Sequence, residues 1–288
     1  MLWFFLSIMT ALAVAVRDVS VKALFSDQTP LEIAALELFW ALPVLALCCF
    51  FVPVPELDRT FWWTFFISLP LNSVAYVMYM YSIRISPISL TVPFLAFTPV
   101  FMVLTGFLFL GETVTLWGGL GILLIVVGSY VLNLDKAKDG YLKPITALLY
   151  EKGSWLMFIV AFLFSFAAVL GKMAMLHSSP LFFTFFFFLV FNATLLLGML
   201  MFGVIKVDLF RRCRKKGMWL GGLLVTHVSC HGLAIALATA VYMIAIKRSS
   251  ILFSVILSWI ILKEGGIKNR GLGVLCMFGG VVLITVYG

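Results

Sequence analysis

The sequence has few charged residues: they make up 11% of its 288 positions, while hydrophobic residues make up 64%. Soluble globular chains are roughly a quarter charged and half apolar, so this chain could not cover its apolar surface in water. The shortage of charge excludes an ordinary soluble domain and predicts a protein that has lipid as its solvent.

Metal-binding and catalytic patterns are also missing. The five cysteines show no CxxC or zinc spacing and lie mostly in apolar runs, where they are interpreted as small hydrophobic residues. No Walker, GxSxG or Ser-His-Asp arrangement stands out. We therefore expect no metal site, no cofactor and no enzymatic activity.

Segments of alternating polarity, which are typical of membrane β-barrels, are absent as well. The apolar runs are continuous, and in lipid this predicts helices, because a helix satisfies its own backbone hydrogen bonds. A spanning helix needs roughly 20 apolar residues. The first run lacks a basic n-region and a cleavage site, so it is interpreted as a span rather than a signal peptide. The ten predicted spans are 2–24, 31–52, 61–82, 88–110, 115–133, 153–176, 181–203, 217–246, 249–263 and 268–287.

Matches in register predict two related halves. Lys172 follows Lys22 by 150 positions, as Pro180 follows Pro30. Each proline lies just before a predicted span, where it suits the first turn of a helix. The segment GETVTLWGGLGILLIVVGSYVL also aligns with KEGGIKNRGLGVLCMFGGVVLI. This second match aligns Glu112 with Glu264, and Gly119, Gly121 and Gly128 with Gly271, Gly273 and Gly280.

The halves are a first five-helix repeat at 1–135 and a second at 153–288, joined by a linker at 136–152. Because five is an odd number, the second repeat must enter the membrane from the opposite side. Inverted repeats of this kind are typical of secondary transporters, whose substrate site lies near the membrane midplane.

One part of the second half leaves two alternatives open. Arg84 corresponds to Lys247, but the matched glutamate follows 28 positions after Arg84 and only 17 after Lys247. Either span nine is short and begins near Ser249, or it begins earlier and carries Lys247 and Arg248 at membrane depth.

The sequence resembles the EamA-type branch of the drug/metabolite transporter superfamily in three features. These are the paired halves, the glycine-spaced fifth span and the segment AVYMIAIKRSSILFSVILSWIILKEGGIKNRGLG. The resemblance covers essentially the whole chain. It implies an all-α integral membrane protein with two inverted five-helix repeats around a central cavity and no ATPase domain. Members of this branch export amino acids, metabolites, nucleobases or drugs, so the resemblance implies a class of function and leaves the substrate open.

Charged residues inside apolar runs cost a few kcal/mol each on insertion scales and are functional candidates. Glu37 lies well inside span two with no basic residue three or four positions away. We expect it to face the cavity in proton coupling or cation recognition, or to form a buried pair with Lys22 or Lys172. In span one, Asp18 can pair with Lys22, and Arg17 can extend to the lipid headgroups.

Lys172, Lys247 and Arg248 are candidates for holding an anionic group of the substrate, Arg248 bidentately. The alternative is that they are interface anchors at helix ends. The corresponding basic residues of the halves would gather positive charge around the cavity, which favours substrates with a carboxylate or phosphate over lipophilic cations.

Uncharged polar residues form two further groups of candidates. His227 and His231 are four positions apart on one helix face, but a glutamate of the HExxH type is missing, so we favour cavity-lining or interhelical roles over metal binding. Asn72, Tyr76 and Tyr79 form a polar-aromatic stripe that could line a cavity or pack between helices. The phenylalanine-rich run 182–188 is interpreted as a lipid-facing helix surface.

The net charge of +8 arises from basic residues of which many lie in loops, mainly 136–152 and 206–216. We therefore expect contacts with anionic lipid rather than nucleic acid, with these loops in the cytoplasm and both termini outside. The resulting prediction is a multi-pass protein of the cell (inner or plasma) membrane, a monomer or homodimer.

The leading interpretation is a secondary active exporter of small metabolites such as amino acids, working by alternating access, with protons as a candidate coupling ion. A membrane-embedded enzyme and a channel are the alternatives. The only candidate for paired intramembrane chemistry is His227 and His231 with Glu37, and pseudo-symmetry within one chain favours alternating access over a channel ring.

Overall fold

The computed structural model describes residues 1–86, 91–134, 151–263 and 271–288, and within these ranges the regular secondary structure is entirely helical. In the first half, a 3-10 segment (Val92–Phe97) leads directly into the α-helix Thr98–Leu110. The helices are α1 (Leu2–Leu24), α2 (Pro30–Phe51), α3 (Arg59–Ile85), α4 (Thr98–Leu110), α5 (Leu116–Leu134), α6 (Lys152–Leu176), α7 (Pro180–Met201), α8 (Asp208–Arg212), α9 (Arg214–Leu237), α10 (Ala240–Lys247), α11 (Ser250–Leu262) and α12 (Gly271–Tyr287).

Local capping chemistry sets where α2 and α7 begin. Thr29 and Glu32 form a capping box, and the following Pro30 occupies the first turn of α2. In the same way, the Ser179 side chain accepts a hydrogen bond from the Phe182 N–H, and Pro180 starts α7. The expectation that both prolines open helices is confirmed.

Within the described ranges, seven helical segments are long and apolar enough to cross a membrane, and α10 with α11 count as one of them, Ala240–Leu262. Three shorter apolar segments accompany them: Phe94–Leu110, Leu116–Leu132 and Gly271–Tyr287. The expectation of an all-helical membrane protein is confirmed at this level. Glu264 and most of the linker 136–152 lie outside the described residues.

The predicted boundary between spans eight and nine is wrong. Helix α9 ends at Leu237, not at 246, and α10 begins at Ala240. The earlier start of span nine in the second alternative is therefore correct, and Lys247 and Arg248 are the eighth and ninth residues of the apolar segment Ala240–Leu262. The helix ends at Leu237 because side chains from elsewhere in the chain bind the backbone between α9 and α10, as described below.

Helices α5 and α12 pack at their glycines. A Cβ atom on Gly121 would lie 2.8 Å from the Gly280 carbonyl oxygen, and one on Gly280 would lie 2.5 Å from the Gly121 carbonyl oxygen. Gly128 and Gly273 make a similarly close approach further along. Small residues allow helices to approach this closely in lipid. Two of the three aligned glycine pairs therefore lie at this contact, but crosswise, because Gly121 meets Gly280 and Gly128 meets Gly273.

The phenylalanine-rich part of α7 is packed inside the protein, so its interpretation as a lipid-facing surface is wrong. Phe182, Phe183 and Phe187 are buried, and their rings contact Phe61 and Phe65 of α3 at centroid distances of 5.8–6.4 Å. Aromatic pairs at these distances stabilise packing beyond their buried area. The apolar composition of the run could not distinguish contact with lipid from contact with another helix.

Candidate functional site

A central cavity of about 360 Å³ lies among the helices of both halves. Residues of α1, α2, α3, α6, α7, α9, α10 and α11 line it, together with the start of α4. The structure brings all nine candidate residues to this one cavity: Glu37, Asn72, Tyr76, Tyr79, Lys172, His227, His231, Lys247 and Arg248.

Glu37 is paired with Arg17. The Arg17 guanidinium donates to the Glu37 carboxylate at 2.7 and 3.2 Å from two of its nitrogens, and Arg17 also contacts Asp18 at 3.3 Å. The expected partners of Glu37, Lys22 and Lys172, were therefore wrong, and Arg17 faces the cavity instead of the headgroups. The planar guanidinium of Arg17 can direct two N–H groups at one carboxylate, which the ammonium of a lysine cannot do.

Lys172 pairs with a carboxylate from the other half of the chain. Its Nζ donates to the Glu112 side chain and to the Ala238 carbonyl oxygen. The second carboxylate oxygen of Glu112 accepts from the Ala240 N–H at 2.8 Å. These contacts satisfy the backbone at the break between α9 and α10, which explains why α9 ends at Leu237.

Lys247 and Arg248 both line the cavity. No carboxylate among the described residues lies within salt-bridge distance of either side chain. Arg248 donates to the Thr98 hydroxyl at 2.7 Å, while its Nε is buried with no protein acceptor in the described part of the chain. Both residues are half-buried, and charge withdrawn from water is costly unless it is paired, so an anion in the cavity can pair with them.

His227 and His231 lie on the same face of α9, with ring centroids 5.9 Å apart. His227 Nε2 and His231 Nδ1 are buried and have no hydrogen-bond partner among the residues described. His231 is within electrostatic range of both Lys247 and Arg248. No group of three or more His, Cys, Asp or Glu residues in the described ranges could hold a metal ion.

The polar-aromatic stripe of α3 also reaches the cavity. Asn72 uses its amide to donate to the Ser68 carbonyl oxygen at 2.9 Å. The Tyr76 hydroxyl is buried without a partner within the described residues, and its ring packs edge-on against Phe191, with the centroids 5.8 Å apart. Buried polar atoms usually find hydrogen-bond partners, so these groups supply free hydrogen-bonding capacity to a solute.

Sequence reasoning missed three contributors to this region. Arg17 was expected at the headgroups, Glu112 appeared only as a matched position of the repeat, and Thr98 was not among the candidates. A charge at the end of an apolar run was a signal for Arg17, but no local pattern links Glu112 to Lys172 or Thr98 to Arg248.

Comparisons with known proteins agree with the resemblance seen in the sequence. Residues 1–134 match the model of the EamA-like transporter family, which confirms that resemblance over this part of the chain. No curated protein matches the sequence. One solved crystal structure matches 99% of this chain and 97% of its own, with a TM-score of 0.77 and 13% identity. A likeness at so low an identity shows the fold alone.

Proposed function

We propose that this protein is a secondary active exporter that moves small metabolites bearing a carboxylate or phosphate, such as amino acids, through the central cavity by alternating access. A membrane transporter is what the EamA-like match over residues 1–134 indicates. The choice of substrate class rests on Lys247 and Arg248, which have no carboxylate partner in the part of the chain that the structure describes.

The proposed architecture is ten membrane spans in two inverted five-helix repeats. The seven long apolar segments and the three shorter ones supply that number of spans. Repeats at 1–135 and 153–288 place Lys22 opposite Lys172 in sequence register. In inverted repeats the site lies where the halves face each other, which agrees with a cavity lined from both halves.

The charges around the cavity support an anionic substrate group. Arg17 contacts two carboxylates, those of Glu37 and Asp18, and Lys172 is paired with Glu112. Lys247 and Arg248 have no counter-charge among the described residues, so these four basic and three acidic side chains carry a net charge of +1. In a cavity walled by apolar side chains such charges attract anions strongly.

Coupling, location and assembly are further parts of the proposal. Glu37 is the candidate proton acceptor, because it is a carboxylate inside a span and lines the cavity. When Glu37 takes up a proton, its ion pair with Arg17 is lost, so proton uptake frees the Arg17 guanidinium. The basic loops favour the cell membrane with these loops in the cytoplasm, and the protein acts as a monomer or homodimer.

Metabolite profiling of the medium from cells with and without the gene identifies the solute. Transport of that solute is then measured in proteoliposomes with the native protein, with Lys247→Met and with Arg248→Met. Each substitution should weaken apparent affinity by about tenfold or more, since a hydrogen bond to a charged group contributes about 1.5–3 kcal/mol.

Lys215→Met is the matched control, because it removes an exposed cation outside the cavity. Unchanged affinity for an anionic solute in both cavity variants would contradict the proposed site. Currents that need no counter-transport would favour a channel, and turnover of a solute in detergent would favour an enzyme.

A further inference from the structure

The Lys172 side chain lies between two cavities. It lines the central cavity and also a second cavity of about 540 Å³. The second cavity is bordered by Trp3 near the start of α1, Leu110 at the end of α4, the Ala238–Thr239 break and the terminal Gly288. Since all of these are helix ends, the second cavity lies at one end of the helix bundle, on the far side of Lys172 from the central cavity.

Glu112 and Lys172 close this boundary with a connected set of contacts. The two side chains form an ion pair in which only 10% of Lys172 and 13% of Glu112 is exposed. Lys172 also donates to Ala238, and Glu112 also accepts from Ala240. Moving either side chain therefore leaves the other, and one backbone group at the α9–α10 break, without its hydrogen-bond partner.

Glu112 gives helix α10 the cap that its own sequence does not provide. Thr239, which precedes α10, makes no side-chain capping hydrogen bond. The Glu112 carboxylate reaches the Ala240 N–H from the loop between α4 and α5, where Gly111 adopts a left-handed conformation with φ of 65°. A carboxylate at a helix N-terminus is stabilising, so a residue of the first half fixes the start of a helix in the second half.

Such a junction has two alternative states. A buried charge that loses its partner is strongly destabilised, so a partly broken set of contacts is unfavourable. The pair must remain closed, or both side chains must move to water together. Water is accessible through the second cavity.

We propose that Glu112 and Lys172 are the gate between the central cavity and the second cavity, and that opening it releases the start of α10 from Glu112. Helix α10 has eight residues and is about 12 Å long at the standard rise. Its far end carries Lys247, so the position of the gate is linked to the position of a cation in the central cavity. The purpose of the gate rests on the proposed transport function, whereas its geometry does not.

Cysteine accessibility tests this proposal. Ala168 lies on α6 one turn before Lys172 and lines the central cavity but not the second one. Ala168→Cys is introduced into a protein whose five native cysteines are replaced by serine, and the protein is reconstituted in vesicles. The labelling rate by a membrane-impermeant thiol reagent is measured separately from each face, with and without Glu112→Gln or Lys172→Met.

We expect each gate substitution to raise the labelling rate of Ala168→Cys from the face of the second cavity by about tenfold or more, the ratio that corresponds to 1.4 kcal/mol. Labelling from the opposite face should not rise. Glu32→Gln is the matched control, because it alters a capping carboxylate at α2, away from the gate, and should leave both rates unchanged.

Equal labelling rates with and without the gate substitutions would overturn the proposal. A rise from both faces would also overturn it, because it would show general loosening of the fold. If Glu112→Gln fails to reach the membrane, Glu112→Asp replaces it, and the same one-sided increase is required. The assay needs no transported solute, so a failed gate with normal transport, or a working gate without transport, separates this proposal from the proposed function.

Discussion

Arg17 and Glu37, on the consecutive helices α1 and α2, form an ion pair with hydrogen bonds of 2.7 and 3.2 Å at the wall of the central cavity. Side-chain exposure is 22% for Arg17 and 7% for Glu37. A charge in this position without a partner would be costly. Each residue therefore explains how the other is tolerated inside an apolar helix.

Glu37→Gln should retain expression in the membrane but lose solute transport or its pH dependence. The amide oxygen of glutamine still accepts a hydrogen bond from Arg17, so packing is preserved, while the group can no longer exchange a proton. Transport measured in proteoliposomes across a range of pH values checks this expectation. Glu32→Gln, in the first turn of the same helix, is the control. Normal transport by Glu37→Gln at every pH would show that Glu37 does not couple protons.

Gly280→Ala should destabilise the fold by about 1–3 kcal/mol, the usual result of overpacking a close contact. Its Cβ would meet the Gly121 carbonyl oxygen at 2.5 Å and the Ile125 backbone nitrogen at 3.1 Å, and neither backbone atom can move aside easily. Gly279→Ala is a matched control, because its Cβ meets only Leu124 at 4.0 Å. Thermal unfolding in detergent should show a lower melting temperature for Gly280→Ala only; equal melting temperatures would contradict close packing of α5 and α12.

Asp58 should contribute a pH-dependent part of the stability at one end of α3. Its carboxylate accepts from the Phe61 N–H at 2.8 Å and contacts His177 Nδ1 at 2.7 Å, and these contacts lower the pKa of Asp58, the Phe61 hydrogen bond most of all. A lowered pKa means that the stabilisation is present above the unfolded-state value of about 3.9 and is lost as the pH falls through the folded-state pKa.

Asp58→Asn should keep the helix cap but remove this acid-dependent loss. Melting temperatures measured as the pH is lowered from neutral should therefore fall less steeply for Asp58→Asn than for the native protein. Asp27→Asn, which removes a carboxylate of the α1–α2 connection, serves as the charge-matched control. Identical profiles for Asp58→Asn and the native protein would disprove the contribution of this cap.

Lys215→Cys should be protected from an impermeant thiol reagent in intact cells. Lys215 is exposed near the start of α9, within the basic cluster 206–216, and the positive-inside rule places such clusters in the cytoplasm. Labelling should appear only after the membrane is permeabilised. Modification in intact cells would reverse the proposed orientation of the chain.

The sequence alone determined the class of the protein and most helix ends. Continuous apolar runs predict spanning helices because lipid offers backbone groups no hydrogen-bond partners, and Pro30 and Pro180 opened helices as expected. The cost of charge in an apolar run also singled out Glu37, Lys247 and Arg248, and all three line the cavity. These inferences depend on composition and on neighbours within a few positions, which a sequence displays directly.

Only the tertiary structure decided which charges meet. Lys172 and Glu112 are separated by 60 positions, and Arg17 and Glu37 by 20, so no helical spacing could reveal either pair. The end of α9 at Leu237 was missed for the same reason, because its stabilising groups come from α6 and from the loop before α5. The energy of a buried charge depends on which groups surround it in space, and that arrangement exists only after the helices have packed.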